Sequence, residues 1–130
     1  MKTTWEIHDS QIENAIEDGD QLRMLISAIV YHDSADPSGL PVYTQNIQLS
    51  ISEWSRNGEC HEYPATISTG SITASSNKYE NEVPIPLAEG GGILVKFLIA
   101  GSGDTLIITG TSISITPIGP KVFLDYLPND

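Results

Sequence analysis

The feature that most limits what this chain can become is its punctuation. Clusters of Gly, Pro, Asn and Ser recur about every ten residues, and the runs between them are short and rich in β-branched side chains. That is the spacing of a sandwich or a barrel.

The runs can be placed in order. Leu22 to Tyr31 is apolar on both faces, with Met24, Ile26, Ala28 and Val30 on one side and Leu25, Ile29 and Tyr31 on the other. This pattern predicts a central strand, although a buried helix has the same signature. His32 to Gly39 is a run of turn formers and reads as a loop. Ile47, Leu49 and Ile51 then alternate with Gln48, Ser50 and Ser52, which predicts a strand with one wet face. Asn57-Gly58 tolerates the positive φ of a type I′ turn, so Glu59 to Ile67 is expected to run back beside Ile47 to Arg56. Ser68 to Ser76 reads as either an edge strand or a loop. Pro84 and Pro86 lack backbone donors and place Glu82 to Leu87 on a sheet edge.

Gly90-Gly91-Gly92 is expected to act as a hinge or turn before the apolar run Ile93 to Ala100. A meander follows, with a turn at Gly101 to Asp104, a strand at Thr105 to Thr109, Gly110 as a separator, and a strand at Thr111 to Thr116. Lys121 to Leu127, bounded by Pro120 and Pro128, makes the last strand. Asp9 to Leu22 is the one helix candidate, because Ser10 and Glu13 stand in capping-box spacing. Its apolar stripe, Ile12, Ala15 and Ile16, spans barely one turn, so a short helix and an acidic loop are both open.

A length of 130 residues suits a single core, and residues 1–130 are expected to form one all-β domain. The architecture expected is an antiparallel β-sandwich, able to close towards a barrel, of about seven or eight strands with at most one short N-terminal helix. No apolar run is long enough to span a bilayer, and Met1 to Glu6 leads into acidic residues rather than an apolar signal segment. Cys60 is the only cysteine, which fits a reducing compartment, so a cytoplasmic location is expected.

Seventeen acidic residues against six basic ones give a formal charge of −11. Such a field repels nucleic acid and anionic membranes and favours a basic protein partner or a cation; it also simply keeps a protein in solution.

Few residues invite chemistry. His8, His32 and His61 each stand beside a carboxylate but without the fixed spacing of a metal motif, so no metal, cofactor or catalytic residue is assigned. The oxygen-rich stretch Asp33 to Gly39 lacks the acid pattern of a calcium loop. Cys60 and His61 are adjacent, which on a strand sends them to opposite faces and makes a poor nucleophile–base pair. Gly101-Ser102-Gly103 is a compact turn rather than a nucleophile elbow, and Gly90 to Gly92 lacks the residues of a phosphate loop.

Trp54 falls on the wet face if the alternation of its strand continues, and Tyr63 would lie on the neighbouring strand. Together they would form an exposed platform flanked by Glu53, Glu59 and Glu62; alternatively Trp54 folds over the sheet edge into the core.

The closing segment, Thr111 to Ile115 followed by Lys121 to Pro128, reads as a hairpin and resembles the ends of small acidic bacterial proteins, some of which neutralise toxins as immunity partners. The resemblance covers about the last twenty residues. It implies a binding role and transfers no functional residue.

Three functions follow as expectations. The first is a noncatalytic binding protein that docks a basic partner through Glu13, Glu17, Asp18 and Asp20 with Glu53, Trp54, Glu59, Glu62 and Tyr63. The second is a small-ligand module, for carbohydrate, using the exposed aromatics Trp54 and Tyr63. The third is a metal-dependent enzyme at the His/Asp positions. Oligomeric state and strand order stay open at this level.

Overall fold

The computed structural model describes residues 3–32, 40–57 and 62–127. Its strands are β1 (Thr3–Asp18), β2 (Gln21–His32), β3 (Leu40–Ser52), β4 (Ser55–Asn57), β5 (Ala65–Ala74), β6 (Asn77–Glu80), β7 (Glu82–Ile85), β8 (Leu87–Ile99), β9 (Thr105–Pro117) and β10 (Val122–Leu127). There is no helix among the described residues, hence none long and apolar enough to cross a membrane.

Six strands close into an antiparallel barrel in the order β1-β2-β3-β9-β8-β5 and back to β1. The closing seam is short, with Gln11 opposite Thr66 and Ile12 opposite Ala65. The remaining strands extend single neighbours: β4 lies on β9, β6 on β5, β7 on β1 and β10 on β3.

Interior positions follow strand alternation. Met24, Ile26, Ala28 and Val30 of β2 meet Ile47, Leu49 and Ile51 of β3, then Ile113 and Ile115 of β9, Val95 and Phe97 of β8, and Ile67 and Ile72 of β5. Trp5 is fully buried and packs edge-on against Phe97 with ring centroids 6.3 Å apart. Burying each such aromatic or aliphatic side chain stabilises the fold by about 1.5–3 kcal/mol, so the barrel interior is the main source of stability.

Several sequence expectations change. Asp9 to Leu22 is neither helix nor loop, because it forms the β1–β2 hairpin with Gly19 at φ +60° in the turn. Its weak stripe arises because β1 shifts register against β2 between Glu6 and Gln11 and again between Ile12 and Asn14. A bulge moves side chains from one face to the other, and the period of two is lost.

Ser68 to Ser76 falls largely within β5, a barrel strand between β1 and β8, with its last two residues in the turn to β6. Gly90 to Gly92 is a bulge inside β8, with Gly91 at φ +84° and Gly92 at +68°, not a hinge or turn. Gly110 lies within β9 instead of dividing it. β9 and β10 do not form the closing hairpin, since β10 pairs with β3.

The hairpin expected at Asn57-Gly58 is also not formed. β3 is flanked by β2 and β9, whereas Ala65 and Thr66 pair with β1. Glu82 to Leu87 does supply an edge element, β7, paired with β1 at Thr3 to Glu6. Asp33 to Gly39, Gly58 to His61 and Pro128 lie outside the described residues, so the loop, Glu59 and the Cys60–His61 pair receive no structural account.

Candidate functional site

Strand direction sorts the connections into two ends. The β1–β2 turn, the β3–β4 link, the lead into β5 and the β8–β9 turn share one end. β7 and β10 lie towards the other, while the start of β8 runs beside Ser112 to Ile115 of β9, near Gln21 and Ser52.

The first end gathers carboxylates. Glu17, Asp18 and Asp20 ride on the β1–β2 hairpin, Glu53 on the β3–β4 link, Glu62 on the lead into β5, and Asp104 on the β8–β9 turn. Backbone geometry locks two of these pieces together. Glu53, at φ +49°, ends β3 and its N–H donates to the Asp20 carbonyl at 2.6 Å. Arg23 reaches Asp18 at 2.5 Å and Arg56 reaches Glu17 at 3.6 Å, so this end holds the six named carboxylates against two guanidinium groups. These pairs are exposed and each contributes little to stability, on the order of 0–1 kcal/mol.

The same left-handed residue redirects Trp54. Its indole N–H donates to the Gly19 carbonyl at 3.2 Å and the ring packs against the core; Tyr63 is also half-buried against the core. The exposed aromatic platform is therefore not formed, because alternation stops at Ser52 and the chain turns before Trp54. Glu13 is half-buried at the second register shift of β1, about 16 Å along the strand from Asp18 and next to Ile12, which pairs with Ala65 at the start of β5.

Beside the carboxylates lies an open cleft of about 710 Å³ between the lead into β5 and the β8–β9 turn. Glu62, Asp104, Ser102 and Thr66 supply polar walls, and Ala65, Pro64 and Ile99 an apolar floor. The turn is held by Ala100 N–H donating to Thr66 O at 2.9 Å and Ile99 N–H donating to Asp104 O at 2.8 Å. The residues of this cleft other than Glu62 escaped sequence reasoning. Gly101 to Asp104 was legible as a turn, but only the pairing of β5 with β8 brings it beside Thr66.

His8 lies earlier on β1, with its ring against Ser68 of β5, two residues after Thr66. Its Nδ1 lies 2.6 Å from the Ser68 carbonyl and its Nε2 lies 3.2 Å from Asp9. The hydrogen bond to Ser68, then the charge of Asp9, hold the imidazole pKa above its ordinary value. Tyr79, hydrogen-bonded to Glu89 at 3.2 Å, has its phenol pushed up by desolvation and then by that carboxylate. Among the described residues no three His, Cys, Asp or Glu side chains are placed to hold a metal ion.

No protein-family model, no curated protein and no solved structure matches this chain.

Proposed function

We infer that this chain is a noncatalytic binding domain that takes up a cationic segment of a basic protein at its carboxylate-rich end. The observation that carries this reading is the pair Glu62 and Asp104 on the rim of a cleft with an apolar floor, in a barrel whose β1–β2 and β3–β4 connections carry Glu17, Asp18, Asp20 and Glu53. A carboxylate rim over apolar surface suits a lysine or arginine side chain, whose aliphatic stem packs while its charged head stays at the rim. Connections presented by a rigid barrel are also a common place for recognition.

The carbohydrate reading loses its physical basis with Trp54 and Tyr63 packed on the core. Affinity capture from host lysate with the full chain as bait, at low and at high salt, tests the inference. A stoichiometric basic protein released as salt rises is the expected result, because screening shortens the reach of the acidic end. Asp104→Lys together with Glu62→Lys is expected to lower that recovery about tenfold or more. Undiminished capture by this folded variant would remove the cleft from the interface.

A further inference from the structure

The barrel is thinnest where it closes. β1 and β5 share the pairs Gln11–Thr66 and Ile12–Ala65, and next to these pairs both strands bulge. β1 shifts register against β2 between Glu6 and Gln11, and β5 shifts against β8 between Ile67 and Thr69. A side chain crosses the gap between the two bulges: His8 Nδ1–H donates to the Ser68 carbonyl at 2.6 Å. Asp9, at φ +66°, turns its carboxylate to the other ring nitrogen, with Oδ2 3.2 Å from His8 Nε2.

These two contacts decide the state of the ring. A carbonyl only accepts, so Nδ1 carries a proton. A neutral imidazole would then present the bare lone pair of Nε2 to a carboxylate, which is repulsive, whereas an imidazolium donates from both nitrogens. We propose that His8 is a proton-operated clasp on the barrel seam, tying the β1 bulge to β5 as the imidazolium and releasing Asp9 when the ring becomes neutral.

The surroundings favour the cation. The hydrogen bond to Ser68 and then Asp9 raise the pKa of His8; desolvation lowers it, and Glu6 raises it. β5 and the stretch of β2 opposite the bulge, Ser27 to Ile29, carry no titratable side chain. β7 brings Glu82, opposite Glu6, and β6 brings Lys78 and Glu80, paired with each other at 3.0 Å, and Tyr79, bonded to Glu89. A basic group whose pKa is raised by folding contributes stability that is fully present below its unfolded value and is lost as pH rises through its folded value. The clasp is therefore closed in mild acid and open in mild alkali. His8 and Asp9 are 52% and 69% exposed, so the effect is local to the seam. Ala65 and Thr66 also wall the cleft, and the clasp acts on this strand whatever the cleft takes.

Amide hydrogen exchange of the full chain, followed by NMR from about pH 6 to about pH 9, tests the proposal above the carboxylate range. The readout is exchange at Ile12 and Ala65 of the seam relative to Leu49 and Ile51 of β3, which lies between β2 and β9; the ratio cancels the pH dependence common to all amides. The ratio should rise about twofold to fivefold as pH passes the midpoint of His8, read from its own ring protons. Asp9→Asn, which suits the left-handed backbone equally, should lower that midpoint. His8→Gln keeps a donor for Ser68 but does not titrate, and should give a ratio independent of pH. His8→Ala should exchange at every pH at least as fast as the wild type does at the alkaline end. Circular dichroism confirms that each variant is folded. A ratio that stays flat through the wild-type midpoint would overturn the proposal. So would a midpoint that Asp9→Asn leaves in place, a rise with pH that persists in His8→Gln, or a His8→Ala seam as protected as the wild type in mild acid.

Discussion

At the scale of single residues, Ser10 holds the first bulge of β1 together. Its hydroxyl accepts from Trp5 Nε1 at 2.9 Å and from the Ile29 N–H at 3.1 Å, and donates to the Glu6 carbonyl at 2.7 Å. Those partners are otherwise stranded where the ladder breaks. Ser10→Ala is expected to cost about 2–4 kcal/mol, since two donors lose their acceptor inside the fold. Denaturant unfolding followed by tryptophan fluorescence measures it, and a loss well below that range would mean that the bulge rearranges. Nearby, Glu6 faces Glu82 in the β1–β7 pair. Burial, then Glu82 and Asp9, push the Glu6 carboxyl above its ordinary value against the pull of His8. A carboxyl raised in the folded state stabilises while it is protonated, and that contribution is lost as pH rises through its folded value. Glu6 therefore opposes folding at neutral pH. Glu82→Gln should raise stability at about pH 7 by roughly 0.2–1 kcal/mol, and the gain should fade as the solution is acidified through the carboxylate range. Urea titrations across that range would show it.

At the scale of elements, close approach explains β5. A Cβ on Gly70 would lie 2.6 Å from Ile7 Cγ2 and 2.7 Å from a Phe97 ring carbon, so the strand crosses the core with no room for a side chain. Gly70 N–H also donates to Asn81 Oδ1 at 3.0 Å, and Asn81, at φ +59°, donates its own N–H to the Gly70 carbonyl at 2.9 Å. Gly70→Ala should destabilise by about 1–3 kcal/mol through overpacking, read from the denaturant midpoint. A Ser/Thr/Gly-rich segment looked like an edge or a loop because composition reports exposure, whereas β5 is central by its neighbours. β2 and the second half of β3 were legible for the opposite reason: Met24, Ile26, Ala28 and Val30, and Ile47, Leu49 and Ile51, reach the interior at every second position without a break. β1 and β8 contain bulges, and their pattern could be read only with both partners in view.

At the scale of the whole molecule, acidic residues lie towards both ends, with Glu6 opposite Glu82 in the β1–β7 pair and Asp125 on β10. The carboxylate end collects residues that stand as far apart as Glu17 and Asp104 in sequence, while β10 presents apolar side chains towards the opposite end. The sequence carried the acidic residues of the hairpin and of the Glu53 and Glu62 regions, but not their common location, which depends on barrel closure. Trp54 shows the same division at one position. Its strand predicted a wet face, and a single left-handed residue, Glu53, turned it onto the core. By itself, then, the sequence determined the all-β class, the antiparallel strands, the turn at Gly101 to Asp104 and the sign of the charge, because these depend on local propensity and on a period of two. Barrel closure, the pairing of β10 with β3, the bulges and the clustering of the acids were decided only in three dimensions. They depend on contacts between residues far apart in the chain, and local pattern holds no record of which distant edge a strand will meet.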